Sequence, residues 1–402
     1  MQVGWDWASA SHDVTVLDDA GGLVDRFALA HDEAGIKDAL ERLAGLGDPS
    51  ELSVAIETTS GVVVDRLLAA GHPVVPIHPN AFNAARPRWG ASKAKSDPGD
   101  SYKLADYLRT DGHRLRTLKP IDDKTAGLRA LVRMRDDHVG AKMAATNQLA
   151  SLLDRHWPGA KAVFARLDSE IALSFLDDYP TPESAARLGE ARMSMFLKRH
   201  SYSGKRPVPK LLERLRSAPV VASNLSPETL CELVRCQVRL LRTLITTIAD
   251  LDRAIGAALL EHPKAKLLAT MPRIGEVNLG QIVAEVGPIL ERAADVEHAC
   301  AEVGAAPVTK ESGKGRTVHF RWAVNTHARD ALGIFADNSR HASPWAANLY
   351  RLARQRGKRH PHAIRILMRA WVRVMWACWH DEIPYNPERH GGELRVREEI
   401  AA

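Results

Sequence analysis

The chain has 402 residues, 45% of them apolar, enough for two or three domains with buried cores and too apolar for a disordered polyelectrolyte. Its formal net charge of +6 and pI of about 9.1 favour an anionic partner. Four cysteines with no CxxC pair and no zinc-like spacing exclude a disulfide scaffold and a zinc module; they read as reduced, mostly buried thiols of a cytosolic protein. No charged-then-apolar leader opens the chain and no run reaches ~18 apolar residues, so neither export nor a membrane span is expected.

Gln2-Val3-Gly4-Trp5-Asp6 reads as a strand ending in an acid, and Val14 to Leu17, Asp18 to Gly22 and Leu23-Val24 read as strand, turn and strand. Asp32 can cap a helix carrying Ile36, Leu40 and Leu43. Leu52 to Glu57 is a second strand ending in an acid, followed by a helix over Val62 to Ala70 and a strand over Val74 to Ile77. Strands alternating with helices predict an α/β fold with parallel pairing, and such sheets carry their sites at the carboxyl ends of the strands, where Asp6 and Glu57 fall. A hairpin, a helix and then an acid-ended strand fit an RNase H-like fold, a mixed sheet flanked by helices. The run Gly4 to Ser9 also resembles the first phosphate loop of sugar-kinase-like ATPases, but no second phosphate loop or adenosine motif follows.

Lys95-Ser96-Asp97-Pro98-Gly99-Asp100 opens the next helix with two carboxylates three residues apart. Positions i and i+3 share a helix face, and two acids at one spot repel unless a cation relieves them. If Pro98-Gly99 delay the helix until Asp100, the pair must instead converge through a turn. With Asp6 and Glu57 these acids make a candidate divalent-metal site for cutting nucleic acid, Mg²⁺ or Mn²⁺ being suited to all-carboxylate ligation. Lys93 and Lys95 beside it are candidate phosphate contacts.

Residues 121–265 read as helical. Leu128, Leu131, Met134, Val139, Met143, Leu149 and Leu153 mark a long amphipathic segment interrupted near Gly140, and the proline-bearing stretch from Trp157 to Leu225 reads as short helices and loops. Ser226-Pro227 caps a long helix whose seam is Leu230, Val234, Gln237, Leu241, Leu244, Ile248, Leu251 and Ile255. The seam admits two partners: the chain's own helices, or a second protomer in a coiled coil whose register Gln237 would set.

Residues 266–402 open on Met271-Pro272-Arg273-Ile274-Gly275, a helix-hairpin-helix-like corner. Ser312 follows within Lys310-Glu311-Ser312-Gly313-Lys314-Gly315-Arg316. Alone, this is a phosphate-contacting turn, with Lys310, Lys314, Arg316 and Arg321 as the cations; a serine needs a base and a cation to become a nucleophile, and no His/Asp triad is evident nearby. From Lys314 to Arg373 there are 13 Lys or Arg against two acids, Asp330 and Asp337, so the rest of the chain is net acidic. That excess, with Arg329, Arg351, Arg354, Arg356, Lys358 and Arg359, reads as a nucleic-acid-backbone surface. Trp371, Trp376 and Trp379 read as core, and residues after Asn386 as a polar tail.

These motifs, in this order, resemble the DEDD-type transposases of bacterial insertion sequences, understood as bridge-RNA-guided serine recombinases. The residues that carry the resemblance are Asp6 in Gly4 to Ser9, Glu57 in Ile56 to Gly61, Asp97 and Asp100 running into Leu104-Ala105, the Met271 to Gly275 corner, Gly304-Ala305-Ala306-Pro307, and Glu311-Ser312-Gly313. The sequence departs from the family pattern at Arg273, where glycine is usual, at Val324-Asn325 in place of Gly-Asn, and at Ala328-Arg329 in place of Leu-Arg. The resemblance implies a RuvC-like domain over 1–120, a helical, coiled-coil oligomerisation region over 121–265 and a helical transposase domain over 266–402. It implies that Asp6, Glu57, Asp97 and Asp100 hold Mg²⁺ and that Ser312 forms a 5′-phosphoserine with DNA. It further implies that a structured RNA selects donor and target DNA, and that the protein assembles as a dimer or tetramer with a site completed across protomers, in the bacterial cytoplasm and on the nucleoid. The competing readings are a junction resolvase or nuclease using metal-activated water, and a non-enzymatic nucleic-acid scaffold.

Overall fold

Val3, Trp5, Val14 and Val16 are fully buried, and this period-two burial lays down the N-terminal sheet. The computed structural model describes residues 1–90, 97–221, 223–313 and 315–390, with the side chains of residues 97 and 98 outside the description. It divides into two compact units, Met1–Pro120 and Ile121–Ala402.

In the first unit the strands are β1 (Gln2–Trp7), β2 (Ser11–Leu17), β3 (Leu23–Ala30), β4 (Ser53–Ile56) and β5 (Val74–Pro76), in the order β3-β2-β1-β4-β5. The first three form an antiparallel meander, while β1–β4 and β4–β5 are parallel. Asp18 closes the β2–β3 turn by accepting hydrogen bonds from the Ala20 and Gly22 amides at 2.9 and 2.7 Å. The helices are α1 (Glu33–Ala44), α2 (Val62–Ala69), α3 (Pro79–Ala85) and α4 (Asp97–Asp111). Asp32 caps α1 by accepting from the Gly35 amide at 2.7 Å, a contact that typically stabilises a helix by ~1 kcal/mol. One face of the sheet packs Val3, Trp5, Val54 and Ile56 against Ile36 and Leu43 of α1 and Val64 and Leu67 of α2. Ala55 and Val75 turn the other way and pack with Phe82 of α3 and Leu104 and Leu108 of α4. A mixed sheet covered on both faces by helices is consistent with the RNase H-like expectation.

In the second unit α5 (Asp123–His156) precedes five short helices, α6 (Pro158–Val163), α7 (Glu170–Asp178), α8 (Pro182–Ala185), α9 (Glu190–Arg199) and α10 (Val208–Ser217), and the long α11 (Pro227–Glu261). The long helices have 34 and 35 residues, each ~50 Å at 1.5 Å per residue. They run antiparallel: Lys124 donates to the Glu261 carbonyl at 2.9 Å, and Arg135 pairs with Asp252. Two sequence expectations change here. Gly140 does not interrupt α5, because one glycine costs a helix only about 1 kcal/mol and the long contact with α11 outweighs it. The seam of α11 is buried on its own chain, and Val238 rather than Gln237 occupies the inward position, with Gln237 half-buried beside it. The short helices close over one end of the pair through Trp157, Phe164, Phe175 and Phe196, which stack and meet edge to face.

The remaining elements are α12 (Ala265–Leu268), α13 (Glu276–Gln281) continuing through a π-helical turn (Ile282–Val286) into α14 (Gly287–Arg292), α15 (Val296–Glu302), the hairpin β6 (Val308–Ser312) and β7 (Gly315–His319), α16 (Thr326–Ser339), α17 (Pro344–Gln355), α18 (His360–His380) and α19 (Pro387–His390). Trp371 is fully buried and its indole donates to Ser339 Oγ at 2.8 Å. Leu128 and Val132 of α5 and Ile255 and Leu259 of α11 share this core with Trp371, Phe335 and Val283, so the long helices and the C-terminal helices form one body. Of the four cysteines, all free, Cys300 and Cys378 are buried, but Cys231 is half-buried and Cys236 exposed. Burial pushes the Cys300 thiol up to about 11.

At the corner Arg273 sits at φ +56°, the left-handed region that favours glycine. This is why glycine suits that position, and the arginine holds a conformation that costs a non-glycine residue ~1–2 kcal/mol.

Glu285 lies in the π-helical turn and is 1% exposed. Arg133 grips it with Nε at 2.6 Å and Nη2 at 3.0 Å, Arg129 stands at 3.7 Å, and Asn325 Nδ2 donates to it at 3.3 Å. Asn325 also caps α16, accepting from the Ala328 amide at 3.1 Å. One carboxylate thus ties α5, the π turn and the start of α16 together. Burial pushes the Arg129 guanidinium down while Glu285 opposes that shift. Glu285→Ala leaves these cations uncompensated and is expected to destabilise the protein by about 3–5 kcal/mol. The check is chemical denaturation of the full chain, where the midpoint should fall with little change in the slope.

Candidate active site

Backbone geometry brings three of the four sequence-singled acids, Asp6, Glu57 and Asp100, within electrostatic reach of one arginine. Strand β1 pairs in parallel with β4, with Trp5 opposite Ile56, so Asp6 near the end of β1 and Glu57 just past β4 come side by side at the carboxyl ends of neighbouring strands. Helix α4 lies across β1 and β2. It approaches so closely that a Cβ on Gly4 would stand 1.9 Å from the Ser101 carbonyl oxygen and 2.5 Å from the Ala105 nitrogen. Ser101 Oγ and Thr15 Oγ1 share a buried hydrogen bond of 2.8 Å that pins α4 in this register. Asp100, the residue before Ser101, is thereby carried over the strand ends and is only 2% exposed. Helix α4 starts at Asp97, with Pro98 in its first turn, so Pro98-Gly99 do not delay it and the i, i+3 spacing is helical. The Asp97 side chain, Lys93 and Lys95 lie outside the described residues.

The charge at this spot is balanced by a residue that the sequence reading did not single out. Arg86, in the 3₁₀ turn Arg86–Trp89, donates to both Asp100 oxygens, at 3.0 and 2.8 Å, and lies over the Phe82 ring. Lys103 Nζ adds a third donor to Asp100 at 3.0 Å. Hydrogen bonding to Asp100 raises the Arg86 guanidinium against the burial that lowers it, and the charges of Asp100, Glu57 and Asp6 add to the rise. Asp6, Glu57 and Asp100 therefore share one electrostatic neighbourhood centred on Arg86. Asp13 stands directly opposite Asp6 on β2 and shares its face of the sheet. The hairpin register, not residue type, was the signal that would have found it.

Carboxylate oxygens at strand ends are donors of the kind a hard divalent cation takes. Among the described residues, however, no three acids, histidines or cysteines stand close enough to hold an ion. Asp100 is meanwhile committed to Arg86 and Lys103. Its Oδ1 accepts from both Arg86 and Lys103 and its Oδ2 from Arg86 alone, so Oδ2 keeps acceptor capacity for a cation.

Burial pushes the Asp100 carboxyl up, but the hydrogen bonds from Arg86 and Lys103 outweigh it and hold it below the ordinary carboxylate value. A folded-state value below the unfolded one stabilises the fold above the unfolded pKa, and that contribution is lost as pH falls through the folded value. Asp100→Asn is accordingly expected to flatten the acid limb of the stability curve below about pH 4, with a constant offset above it. Urea midpoints measured from pH 3 to 7 check this.

The second candidate centre lies in the other unit. Ser312 ends β6 at the tip of the β6–β7 hairpin, facing Gly315, and Gly313 takes φ +57° as the tight turn requires. The hairpin is exposed along nearly its whole length, and among the described residues none hydrogen-bonds the Ser312 hydroxyl. Lys310 is exposed, Arg316 forms an exposed pair with Glu311 at 3.1 Å, and Lys314 lies outside the described residues. An exposed pair contributes ~0–1 kcal/mol, so Glu311 holds Arg316 only weakly. Arg321 instead braces the hairpin's base, donating to the Ala306 and Pro307 carbonyls at 3.2 and 3.4 Å. Arg329 packs half-buried against Phe320. Arg351, Arg354, Arg356, Lys358 and Arg359 are exposed around the α17–α18 junction, which turns at Gly357 with φ +75°.

An acid-edged mixed sheet joined in sequence to a helical unit with an exposed serine hairpin defines a class, and comparison with known proteins places the chain within it. Residues 3–158 match the DEDD transposase domain of the IS110 type, and residues 265–351 match the transposase family of IS116, IS110 and IS902. The chain is 32% identical to the mini-circle putative transposase for IS117 of Streptomyces coelicolor, over 96% of this chain and 95% of that protein. It is 27% identical to the uncharacterized 42 kDa protein of IS900 from Mycobacterium paratuberculosis, over 96% of each. It is also 27% identical to the uncharacterized 43.6 kDa protein of IS110 from Streptomyces coelicolor, over 75% of this chain and 74% of that one. The chain belongs to the IS110/IS116 family of insertion-sequence transposases. Among the described residues no helix is long and apolar enough to cross a membrane.

Proposed function

We propose that this protein is the transposase of an insertion sequence, which cuts and rejoins DNA through a covalent phosphoserine at Ser312. Asp6, Glu57, Asp97 and Asp100 would hold Mg²⁺, with Mn²⁺ able to substitute. The observation that carries the reading is that Asp6 and Glu57 from two strand ends and Asp100 from α4 all act on Arg86, so three acids share one electrostatic neighbourhood. When bound, the metal would lower the charge on a phosphodiester and assist proton removal from an attacking hydroxyl.

The chain's own residues account for the rest. Asp100 is preorganised by Arg86 and Lys103 and enters the reaction ionised. Ser312 Oγ, held out on a hairpin among Lys310 and Arg316, attacks the phosphorus. The Oγ proton leaves to a base, the P–O3′ bond breaks, and a 3′-hydroxyl and a 5′-phosphoserine result. Attack of a second 3′-hydroxyl on the phosphoserine restores the DNA backbone and frees Ser312, so the bond energy is conserved and no nucleotide cofactor is required. We infer that a structured guide RNA selects the DNA and that two or four copies assemble on it in the bacterial cytoplasm, as the family resemblance implies. The test is trapping under denaturing conditions: a Mg²⁺-dependent protein–DNA adduct is expected. Cleavage without any adduct would replace serine attack by water attack at the acidic site.

A further inference from the structure

Phe320 directly follows β7 and carries two guanidiniums on its ring, Arg329 at 5.3 Å and Arg365 at 4.9 Å from the centroid. Trp322 meets the same ring edge to face, with centroids 4.8 Å apart, yet is itself 80% exposed. Trp322 thus rests on Phe320 while most of its indole stays open to solvent beside the hairpin, a surface on which a further ring can stack. The two arginines repel each other: burial pushes the Arg365 guanidinium down and the Arg329 charge adds to that fall. Their compensation is thin. The Asp330 carboxylate is 3.7 Å from Arg329 and mostly solvated, and among the described residues no carboxylate pairs with Arg365. Arg329 Nη1 is enclosed without an acceptor, which leaves donor capacity unsatisfied. Lys358 and Arg365 also hold His362 below its ordinary value, after burial, so the neighbourhood is cationic on the α18 side as well.

We propose that Phe320, Trp322, Arg329 and Arg365 form a binding site for a single-stranded nucleic-acid segment, an unstacked base lying on Trp322 and the adjoining phosphate meeting the guanidiniums. Duplex DNA keeps its bases stacked and offers only phosphates here, so an exposed indole points to a strand that is already open. Stacking accepts any base, and the paired cations supply backbone affinity. The inference rests on the nucleic-acid reading above and adds to it the state of the strand beside the Ser312 hairpin.

The test uses the full-length protein and single strands of about 12 nucleotides, as DNA and as RNA, each with a central 2-aminopurine or a central abasic site. The intact strand is expected to bind about 5- to 150-fold more tightly than its abasic twin on at least one arm, with quenching of the 2-aminopurine, and the arm that responds identifies the strand. Trp322→Ala should erase that difference and Trp322→Tyr should retain most of it. Arg365→Gln should reduce the salt slope by about one on intact and abasic strands alike. Equal binding of intact and abasic strands on both arms, or a difference that survives Trp322→Ala, would overturn the site. The serine reading is judged separately: Ser312-dependent adducts that persist while stacking fails remove only this inference, and stacking without adducts removes only the serine.

Discussion

Ser312→Ala is expected to abolish the covalent protein–DNA adduct and to lower strand transfer by a factor of about 10⁴ or more, while leaving nucleic-acid binding and stability close to wild type. The size of the effect follows from what the side chain is. An alkoxide-forming oxygen is the only atom of residue 312 able to bond to phosphorus, and alanine removes it without a substitute. The small cost to the fold follows from where the residue is. Ser312 is exposed at a hairpin tip, its backbone pairs with Gly315 whatever its side chain, and Gly313 bears a positive φ that Ser312 does not share. Loss of adducts in a protein that still unfolds at the wild-type temperature would therefore be chemical. Denaturing gels with 5′-labelled DNA read the adduct, and mobility shifts read the binding. Adducts of undiminished yield in the alanine variant would move the nucleophile to another residue.

Gly4→Ala is expected to cost at least about 1–3 kcal/mol of stability and about a hundredfold in strand cleavage. No rotamer relieves a Cβ set 1.9 Å from the Ser101 carbonyl oxygen, because both atoms belong to backbone or its first branch. Helix α4 must lift from β1, which also strains the buried Thr15–Ser101 hydrogen bond. Asp100 travels with the helix, away from Asp6 and Glu57, and a displacement of about 1 Å at a reacting centre is enough for that loss. Thermal unfolding and Mg²⁺-dependent cleavage of the full chain measure the two effects. The informative companion is Ser101→Ala, which removes the hydrogen bond without a clash and should show a smaller stability loss with most cleavage retained. A Gly4→Ala protein that cleaves at the wild-type rate would separate α4 from the chemistry.

Much of the first unit was legible before any coordinates. Val3, Trp5, Val14 and Val16 alternate, Asp32 stands where a cap belongs, and two strands end in acids, so strand, cap and strand-end site all follow from local pattern. Arg86 was not legible. Its partner Asp100 lies fourteen residues away, no spacing rule links an arginine upstream to that acid pair, and a lone arginine in such a stretch looks solvated. Glu285 was missed for the opposite reason, since one acid inside an apolar helix reads as an outward-facing position. The α11 seam illustrates a subtler limit. Spacings of three and four recur whether the partner is another copy or the same chain, and a local shift that puts Val238 inward in place of Gln237 is invisible until the partner helix is in place.

The residues by themselves determined which chemistry was available, because hard carboxylates at strand ends, a serine among small residues and a basic C-terminal stretch are properties of type and order. Tertiary structure decided how those charges are kept. The close approach at Gly4, the guanidinium of Arg86 on Asp100 and the carboxylate of Glu285 beneath Arg129 and Arg133 each depend on groups far apart in the chain. A buried charge is tolerated only where the fold delivers its counter-charge within a few ångströms, and no local pattern encodes that distance.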